Sequence, residues 1–323
     1  MIMRKKQRMV NSIVSSLINF QFEESPKWRK APSMTMERMV KEIVKFQEKW
    51  EKHQEHFDKK TVQKALLQSQ IRYIYHLNTG EDLQSGTTSA AIESSIKVLN
   101  ISLGYPLPIQ SVSKQETETI NVLKAHKFLQ EEVKNNQDYG LHGLLAVTLI
   151  QDAHKLILKD LPLCKNYTKP GVFSEIERYV EYREELYRYK NPENMEESVQ
   201  TLLDRYNDLM THCVKEEKNL ELRVRNMFKT CGWLLFELLD LHPFSDGNGR
   251  LCRLLCSYAL SSMTPFPTQV YDVWSESKKE EYLDALVATR KSETRHPASL
   301  TSMLIERNYY EWKNFFSILE GET

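Results

Sequence analysis

The chain has 323 residues, enough for one large domain and a smaller one. Its 44 basic and 44 acidic residues cancel, which argues against nucleic acid as the main partner. Its five cysteines show no Cys-x-x-Cys spacing, so a disulfide framework or a zinc site is not expected, and a reducing compartment is favoured.

The amino-terminal stretch is basic and has to be distinguished from a targeting signal. No acid precedes Glu23, and four basic side chains lie near the start: Arg4, Lys5, Lys6 and Arg8. Mitochondrial transit peptides share this composition, yet polar residues interrupt the apolar stretch 9–20, which is typical of an ordinary amphipathic helix. No run approaches the ~20 apolar residues of a membrane-spanning helix. We therefore expect a cytoplasmic protein without a membrane partner, with the nucleus as a second compartment and mitochondrial import as the alternative.

Residues 1–82 are predicted to form an amino-terminal helical region. A periodic segment follows Ser33, and its apolar side chains line one side of a helix: Met36, Val40, Ile43, Phe46, Trp50 and Phe57. A second helix is expected from about Val62 to Leu77, and the turn at Gly80 ends it.

Residues 83–104 connect this region to the main domain. They contain a loop and a third predicted helix, residues 89–99. The sequence Tyr105-Pro106-Leu107-Pro108 marks the boundary, and residues 105–323 follow as the main domain. Its predicted helices are Glu116–Val133, Leu141–Leu158, Glu196–Met210, Leu220–Leu241, Glu281–Arg290 and Ser302–Leu319.

One part of the main domain departs from helical periodicity. Proline and glycine disfavour helix between residues 161 and 192. β-type residues then alternate in Ile176–Tyr182 and Leu186–Tyr189, on either side of Arg183-Glu184-Glu185, a pattern typical of a β-hairpin. A helix would explain the same residues and is the alternative. The sequence thus predicts an all-α fold with one short hairpin.

The most informative stretch is His242-Pro243-Phe244-Ser245-Asp246-Gly247-Asn248-Gly249-Arg250, followed by Leu251-Cys252-Arg253. Glycine takes positive φ without a Cβ clash, so Gly247 and Gly249 let the turn point its N–H groups inward as an anion nest. Apolar residues at helical spacing follow the turn. The nest is therefore expected at a helix amino terminus, where N–H groups and the helix dipole attract phosphate.

Charged residues around this nest complete a nucleotide site. Arg250 and Arg253 lie on the first turn of the helix, where cations are mildly unfavourable, so they indicate a bound polyanion. Asp246 is a hard oxygen ligand that can carry Mg²⁺ to the same phosphates. His242 stands at the carboxyl end of the helix predicted over Leu220–Leu241. The dipole of that helix favours a positive charge on the histidine, which suits a general base. A glycine-rich loop with a capping histidine is the structural alternative, but it does not explain all these residues together.

This stretch resembles the signature of the Fic (filamentation induced by cAMP) family, His-Pro-Phe-x-Asp/Glu-Gly-Asn-Gly/Lys-Arg-x-x-Arg, and matches it at every specified position. The resemblance implies a protein adenylyltransferase, or AMPylator, which moves AMP from ATP onto a Ser, Thr or Tyr hydroxyl of a target protein, with automodification expected. It implies Mg²⁺, or Mn²⁺, as the metal ion. It also implies a Fic catalytic domain over residues 105–323, with a hairpin called the flap at 174–190 that pairs with the acceptor segment of the target. The oligomeric state stays open.

The resemblance also implies roles for the signature residues. His242 would deprotonate the acceptor hydroxyl, and Asp246 would hold the metal ion. Arg250 and Arg253 would contact the outer phosphates, while Phe244 would anchor the loop in the core. The anion hole for the α- and β-phosphates would comprise Gly247, Asn248 and Gly249.

Many Fic proteins also carry an inhibitory helix with Ser/Thr-x-x-x-Glu-Gly/Asn, whose glutamate pairs with the second signature arginine and displaces the γ-phosphate. Ser89-Ala90-Ala91-Ile92-Glu93 resembles this pattern and predicts Glu93 as the regulatory residue, although Ser94-Ser95 replaces the usual Gly-Asn. A downstream Glu-x-x-Asn-x-x-x-Ala pattern, usual in members with such a helix, is reproduced by Glu118, Asn121 and Ala125. Glu81 is the second choice, and two solvated glutamates are the alternative.

Other activities are open on the same fold. The alternatives to AMP transfer are removal of AMP and use of another nucleotide donor. Gly247 and Gly249 favour AMP transfer, because family members that phosphorylate carry Ala and Lys at these two positions. A hypothesis of another class is a helical interaction module that binds nucleotide without chemistry. The histidine, the acid and both arginines argue against it, since a binding module has no use for a base.

Overall fold

The structure, a computed structural model, describes residues 16–29, 34–79, 114–137, 143–213, 217–271 and 276–321. Within them the chain forms nine α-helices: α1 (Met36–His53), α2 (Lys59–Thr79), α3 (Lys114–Gln137), α4 (Val147–Ile157), α5 (Met195–Thr211), α6 (Leu220–Leu241), α7 (Asn248–Ala259), α8 (Glu276–Lys291) and α9 (Ala298–Glu320). The two strands are β1 (Tyr179–Tyr182) and β2 (Glu185–Arg188). The fold is therefore all-α with a short hairpin, as predicted. None of these helices combines the length and apolar character needed to cross a bilayer.

Helix α6 is central to the molecule and leads directly into the signature stretch. It packs against α1, α5, α7, α8 and α9, and its apolar sequence from Met227 to Leu241 is buried at nearly every position. A Cβ on Gly232 would lie 2.2 Å from Thr301 Oγ1 on α9. The absence of a side chain at this position therefore lets α6 and α9 approach closely.

The amino-terminal helices share one hydrophobic core with the main domain. Phe46 of α1 stacks on Phe316 of α9, with ring centroids 5.5 Å apart, and Trp50 meets Phe315 edge-on at 5.3 Å. Aromatic pairs of this kind add to the stabilisation that their buried area supplies. Helix α9 is thus covered by α1 on one side and by α6 on another.

Helix α4 begins at Val147, so the prediction of a helix start at Leu141 was wrong for the described residues from Gly143 onward. The cause is a side chain on another helix. Leu145 N–H donates to Asn207 Oδ1, and Asn207 Nδ2 donates to the Leu145 carbonyl, each at 2.8 Å. These bonds satisfy the backbone groups that a longer helix would have paired.

The hairpin is tighter than the sequence predicted. Tyr182 pairs with Glu185, so the loop contains only Arg183 and Glu184, and both have positive φ, 49° and 64°. Two-residue loops of this kind match the twist of the flanking strands. The first strand does not reach back to the predicted Ile176, because side chains bind the backbone there: Ile176 N–H donates to Ser174 Oγ and its carbonyl accepts from an arginine.

Helix α8 supports one face of the hairpin. Tyr182 Oη donates to Asp284 Oδ1 at 2.9 Å, and Lys291 Nζ lies 2.7 Å from a Glu185 carboxylate oxygen. Tyr187, on the same face as Tyr182, has the Lys291 ammonium 5.6 Å from its ring centroid. The contacts place the hairpin between α8 and the end of α6.

Candidate active site

The signature loop connects α6 to α7, and its two ends have left-handed backbone conformations. His242 caps α6 with φ 50° and ψ 60°, and Gly247 caps α7 with φ 73°. The Leu251 N–H donates to the Gly247 carbonyl at 3.0 Å, so three N–H groups precede the intrahelical ladder: those of Asn248, Gly249 and Arg250. The start of α7 therefore has the form of an anion site.

The shape of the loop is held by Phe244 and Asn248. Phe244 N–H donates to Asn248 Oδ1 at 3.0 Å, and Asn248 Nδ2 donates to the Phe244 carbonyl at 2.7 Å. The Phe244 side chain is fully buried. Because the Asn248 side chain binds the loop itself, its contribution to an anion site comes from the backbone N–H.

The tautomer of His242 follows from its neighbours. Nδ1 lies 3.2 Å from the Leu239 carbonyl, which can only accept, so Nδ1 carries the hydrogen and Nε2 carries the lone pair in the neutral ring. The ring of Tyr189, the residue after β2, lies parallel to the imidazole with centroids 3.8 Å apart and 9° between planes. The helix thus sets the protonated nitrogen, and the hairpin end restrains the ring plane.

The only carboxylate of the signature stretch is Asp246. One oxygen accepts the Gly247 N–H at 2.6 Å and lies 3.8 Å from Arg250 Nη2. Its side chain is 40% exposed, against 8% for Arg250. Mg²⁺ typically takes one or two carboxylates together with phosphate oxygens and waters, and this carboxylate beside a helix amino terminus fits that mode. In the described part of the chain, no three His, Cys, Asp or Glu side chains form a metal-binding group.

Arg253 lies deeper than Arg250 and contacts α2. It is 2% exposed, and its Nη2 donates to the Leu77 carbonyl at 3.0 Å. Its own carbonyl accepts from Tyr73 Oη at 3.2 Å. The last carbonyls of a helix lack intrahelical partners and form the negative end of its dipole, so they suit a guanidinium. The structure thus brings His242 and Asp246 to one loop, has Arg250 on the first turn of α7, and joins Arg253 to the amino-terminal helices.

Comparison with known proteins identifies this arrangement. A model of the Fic/DOC family matches residues 144–260, which include the hairpin, α6 and the signature loop. The chain is also similar to the structure of a Fic domain containing signalling protein from Bacteroides thetaiotaomicron, with a TM-score of 0.65 over 88% of this chain and 98% of that one, at 17% identity. The chain contains a Fic domain within residues 144–260. The Fic family is known for AMPylation and other nucleotide transfer.

Two curated relatives match shorter segments of this Fic domain protein. A Fido domain-containing protein of Dictyostelium discoideum is 32% identical over 96 residues, 29% of this chain and 64% of the relative. The ribonucleoside-diphosphate reductase small chain of Ostreid herpesvirus 1 is 30% identical over 104 residues, 32% of this chain and 16% of the viral protein. The matches thus span less than two thirds of either relative.

His154 of α4, which the sequence did not assign to the site, holds the Fic signature loop. Gly171 N–H donates to Nδ1 at 2.8 Å, so Nε2 carries the hydrogen and donates to the Asp246 carbonyl at 2.8 Å. Its ring stacks on Phe244 with centroids 3.8 Å apart. Burial lowers the pKa of His154 to about 4, so the ring is neutral at pH 7. A lone histidine in a helix gives no sequence signal for this role.

A group of hydroxyls fastens a second loop to the Fic signature. Thr168 N–H donates to Ser245 Oγ at 3.2 Å, and Ser245 Oγ donates to Ser174 Oγ at 3.2 Å. Ser174 N–H also donates to the Pro243 carbonyl at 2.8 Å. Ser245 stands at the variable position of the signature, so the motif gave no indication of this contact.

The predicted regulatory residues, Glu93 and Glu81, lie outside the described residues, as does the predicted inhibitory helix 89–99. Both assignments stay predictions. Arg253, the side chain that such a glutamate would pair with, is held at the end of α2, and Glu81 lies two positions after the end of that helix in the sequence.

Proposed function

We propose that this Fic domain protein is an adenylyltransferase that moves AMP from ATP onto a Ser, Thr or Tyr hydroxyl of a target protein. The observation that carries the proposal is a histidine with its lone pair on Nε2 at one end of a short loop whose other end is a helix amino terminus. A base beside an anion site is what transfer of a phosphoryl group to a hydroxyl requires.

In the proposed reaction, the acceptor oxygen attacks the α-phosphorus of ATP in line with the departing pyrophosphate. The bond between the acceptor oxygen and phosphorus forms as the bond from phosphorus to the bridging oxygen breaks. The hydroxyl proton moves to His242 Nε2, and the Leu239 carbonyl, which accepts from Nδ1, stabilises the imidazolium. Catalysis depends mainly on position and electrostatics.

The phosphates would be bound by backbone and arginine groups. The N–H groups at the start of α7 would bind the α- and β-phosphates, and Arg250 and Arg253 would bind the outer phosphates in fork geometry. Asp246 would hold Mg²⁺, or Mn²⁺, which when bound neutralises phosphate charge. His154 would keep the Asp246 backbone in place through its bond to the carbonyl.

A protein acceptor is supported by the surface beside the site. Of the eight exposed large hydrophobic residues in the described part of the chain, six lie within residues 167–186: Tyr167, Val172, Ile176, Tyr179, Val180 and Leu186. Clustered apolar exposure marks interaction sites more often than chance. The acceptor segment would pair with an edge of the hairpin, as extended peptides do with exposed strands.

The test is incubation of the purified chain with Mg²⁺ and ATP labelled at the α-phosphate, with and without cell lysate. Label should appear on the chain itself and on a target protein, whose acceptor residue mass spectrometry would identify. His242→Ala should lose about 10² to 10⁴ in rate while it still binds ATP in calorimetry.

Three results would contradict the proposal. With ATP labelled instead at the γ-phosphate, transfer of label would indicate phosphorylation, and undiminished transfer from α-labelled ATP by His242→Ala would show that His242 is not the base. ATP binding without any transfer, to the chain or to lysate proteins, would indicate an interaction module.

A further inference from the structure

Arg178, at the start of the hairpin, contacts both the hairpin and the end of α6. Its Nε donates to the His242 carbonyl at 2.8 Å, and its Nη2 lies 3.3 Å from the Leu241 carbonyl. On the hairpin side, its guanidinium donates to the Lys190 carbonyl, to the Ile176 carbonyl at 2.8 Å and to Asn191 Oδ1 at 3.1 Å. The residue is only 6% exposed.

The backbone of His242 needs such support. A residue other than glycine is disfavoured in the left-handed region, because its Cβ approaches the following carbonyl oxygen, and His242 is held there with φ 50°. The carbonyls of Leu241 and His242 lie at the helix end, where intrahelical donors are absent. Arg178 supplies donors to both, in a fork that a lysine ammonium cannot reproduce.

We propose that Arg178 is a positioning residue for the base: by holding the His242 carbonyl and both ends of the hairpin together, it sets where His242 Nε2 points relative to the acceptor segment. Tyr189, whose ring stacks on His242, comes directly after the second strand of the same hairpin. The inference rests on the proposed function for its kinetic consequence, and on the geometry alone for its effect on His242.

The kinetic test compares Arg178→Lys with the parent chain at saturating ATP. A misplacement of the reacting groups by about 1 Å costs on the order of 10² in rate, so we expect kcat to fall about 10²-fold while the Kd for ATP changes less than about twofold. ATP affinity should persist because its proposed donors lie on α7 and the signature loop, which Arg178 does not contact beyond His242.

Arg29 offers a matched control. Its side chain is 6% exposed, and it too donates to backbone carbonyls, those of Glu24 and Met34, far along the chain from the signature. Arg29→Lys should therefore lower stability comparably and leave kcat unchanged. If Arg178→Lys does not fold, Asn191→Ala serves instead, because it removes only one partner of Arg178. It should lower kcat as well, by a smaller factor.

A second readout does not require activity. Histidine ¹⁵N resonances, with His242 assigned by its absence in His242→Ala, should report Nδ1–H in the parent chain and a change in Arg178→Lys but not in Arg29→Lys.

Low, non-denaturing guanidinium should restore transfer in Arg178→Ala. A parent-like kcat and an unchanged His242 signal in Arg178→Lys would overturn the inference. An inactive parent chain whose His242 signal still depends on Arg178 would instead refute the proposed function alone.

Discussion

At the scale of single residues, the two histidines near the signature loop have different hydrogen-bond partners. His154 has both bound, one by Gly171 and one by Asp246, and burial lowers its pKa to about 4. His242 has Nδ1 at the Leu239 carbonyl and its ring beside Tyr189. Because both ring nitrogens of His154 are bound to the protein, His154 cannot accept a substrate proton; its role is structural, which agrees with the proposal that His242 is the base.

Arg253→Ala should weaken ATP far more than AMP, since the lost guanidinium would serve outer phosphates that AMP lacks. A charge-assisted contact of this kind contributes roughly 1.5 to 3 kcal/mol, and calorimetry with both nucleotides measures the difference. Tyr73→Phe is the control, because it removes only the Tyr73 hydroxyl, which donates to the Arg253 carbonyl. Equal weakening for ATP and AMP would mean that Arg253 acts through its contact with α2.

Glu93→Gly should raise automodification if Glu93 restrains the site, and Glu81→Gly should not. A carboxylate held against Arg253 would compete with the γ-phosphate for the same donors, whereas removal of a solvated glutamate should change binding by no more than about 0.5 kcal/mol. Labelled ATP measures both variants side by side. Activation by Glu81→Gly alone would move the role to Glu81, after Gly80 in the sequence, and Glu93→Gly with His242→Ala should be inactive.

At the scale of elements, the hairpin, α6 and α8 are joined through Asp240. Its carboxylate lies 3.1 Å from Lys190 Nζ, 3.0 Å from Arg290 Nε and 2.7 Å from Arg295 Nη2, with 3% of the side chain exposed. Burial alone would raise the pKa of Asp240, but hydrogen bonds from Arg295 and Lys190 hold that pKa below its ordinary value. The carboxylate is therefore charged in the folded state at neutral pH.

Asp240→Asn should destabilise the chain by about 2 kcal/mol at pH 7, as expected for charge-assisted hydrogen bonds. Because the folded pKa is lower than the unfolded one, the stabilisation is present above the unfolded value, near 3.9, and is lost as pH falls through the folded value. Urea unfolding of both chains at pH 7 and at low pH measures this. A difference that stays constant down to low pH would contradict the assignment of Asp240 as a charged centre.

At the scale of the whole molecule, one core includes the amino-terminal helices, α6 and α9. A change at a helix contact far from the signature loop is therefore expected to alter global stability. The contact of α6 with α9 at Gly232 is suited to test this, because Gly232 lies ten positions before His242, the residue that caps the same helix.

Gly232→Ala should lower the free energy of unfolding by about 1–3 kcal/mol, since the new Cβ would overlap Thr301 Oγ1 and overpacked cores lose stability of this order. Thr301→Ala in the same chain should recover part of the loss, because the nearest remaining atom, Thr301 Cβ, would lie 3.3 Å away. Chemical denaturation of both single variants and the double variant gives the coupling energy. Strict additivity would show that the helices do not meet at this point.

Local sequence patterns determined much of this protein. The helical periodicity of Leu220–Leu241 predicted α6 with its observed bounds, because a long periodic segment is recognised without long-range information. The signature stretch predicted a turn with a helix amino terminus after it, and the structure has Gly247 with positive φ as the cap of α7. The alternation around Arg183 predicted the hairpin, with strand ends shifted by a few residues.

Only the tertiary structure decided the contacts between distant segments. Helix α4 is shorter than predicted because Asn207 binds the backbone of Leu145. Three side chains contact the site through partners between 53 and 92 positions away in the sequence: His154, Tyr189 and Arg178. Each of these side chains looks ordinary in its local sequence. Periodicity reports which face of an element is apolar, whereas a hydrogen bond between elements depends on how the elements pack, which no local pattern contains.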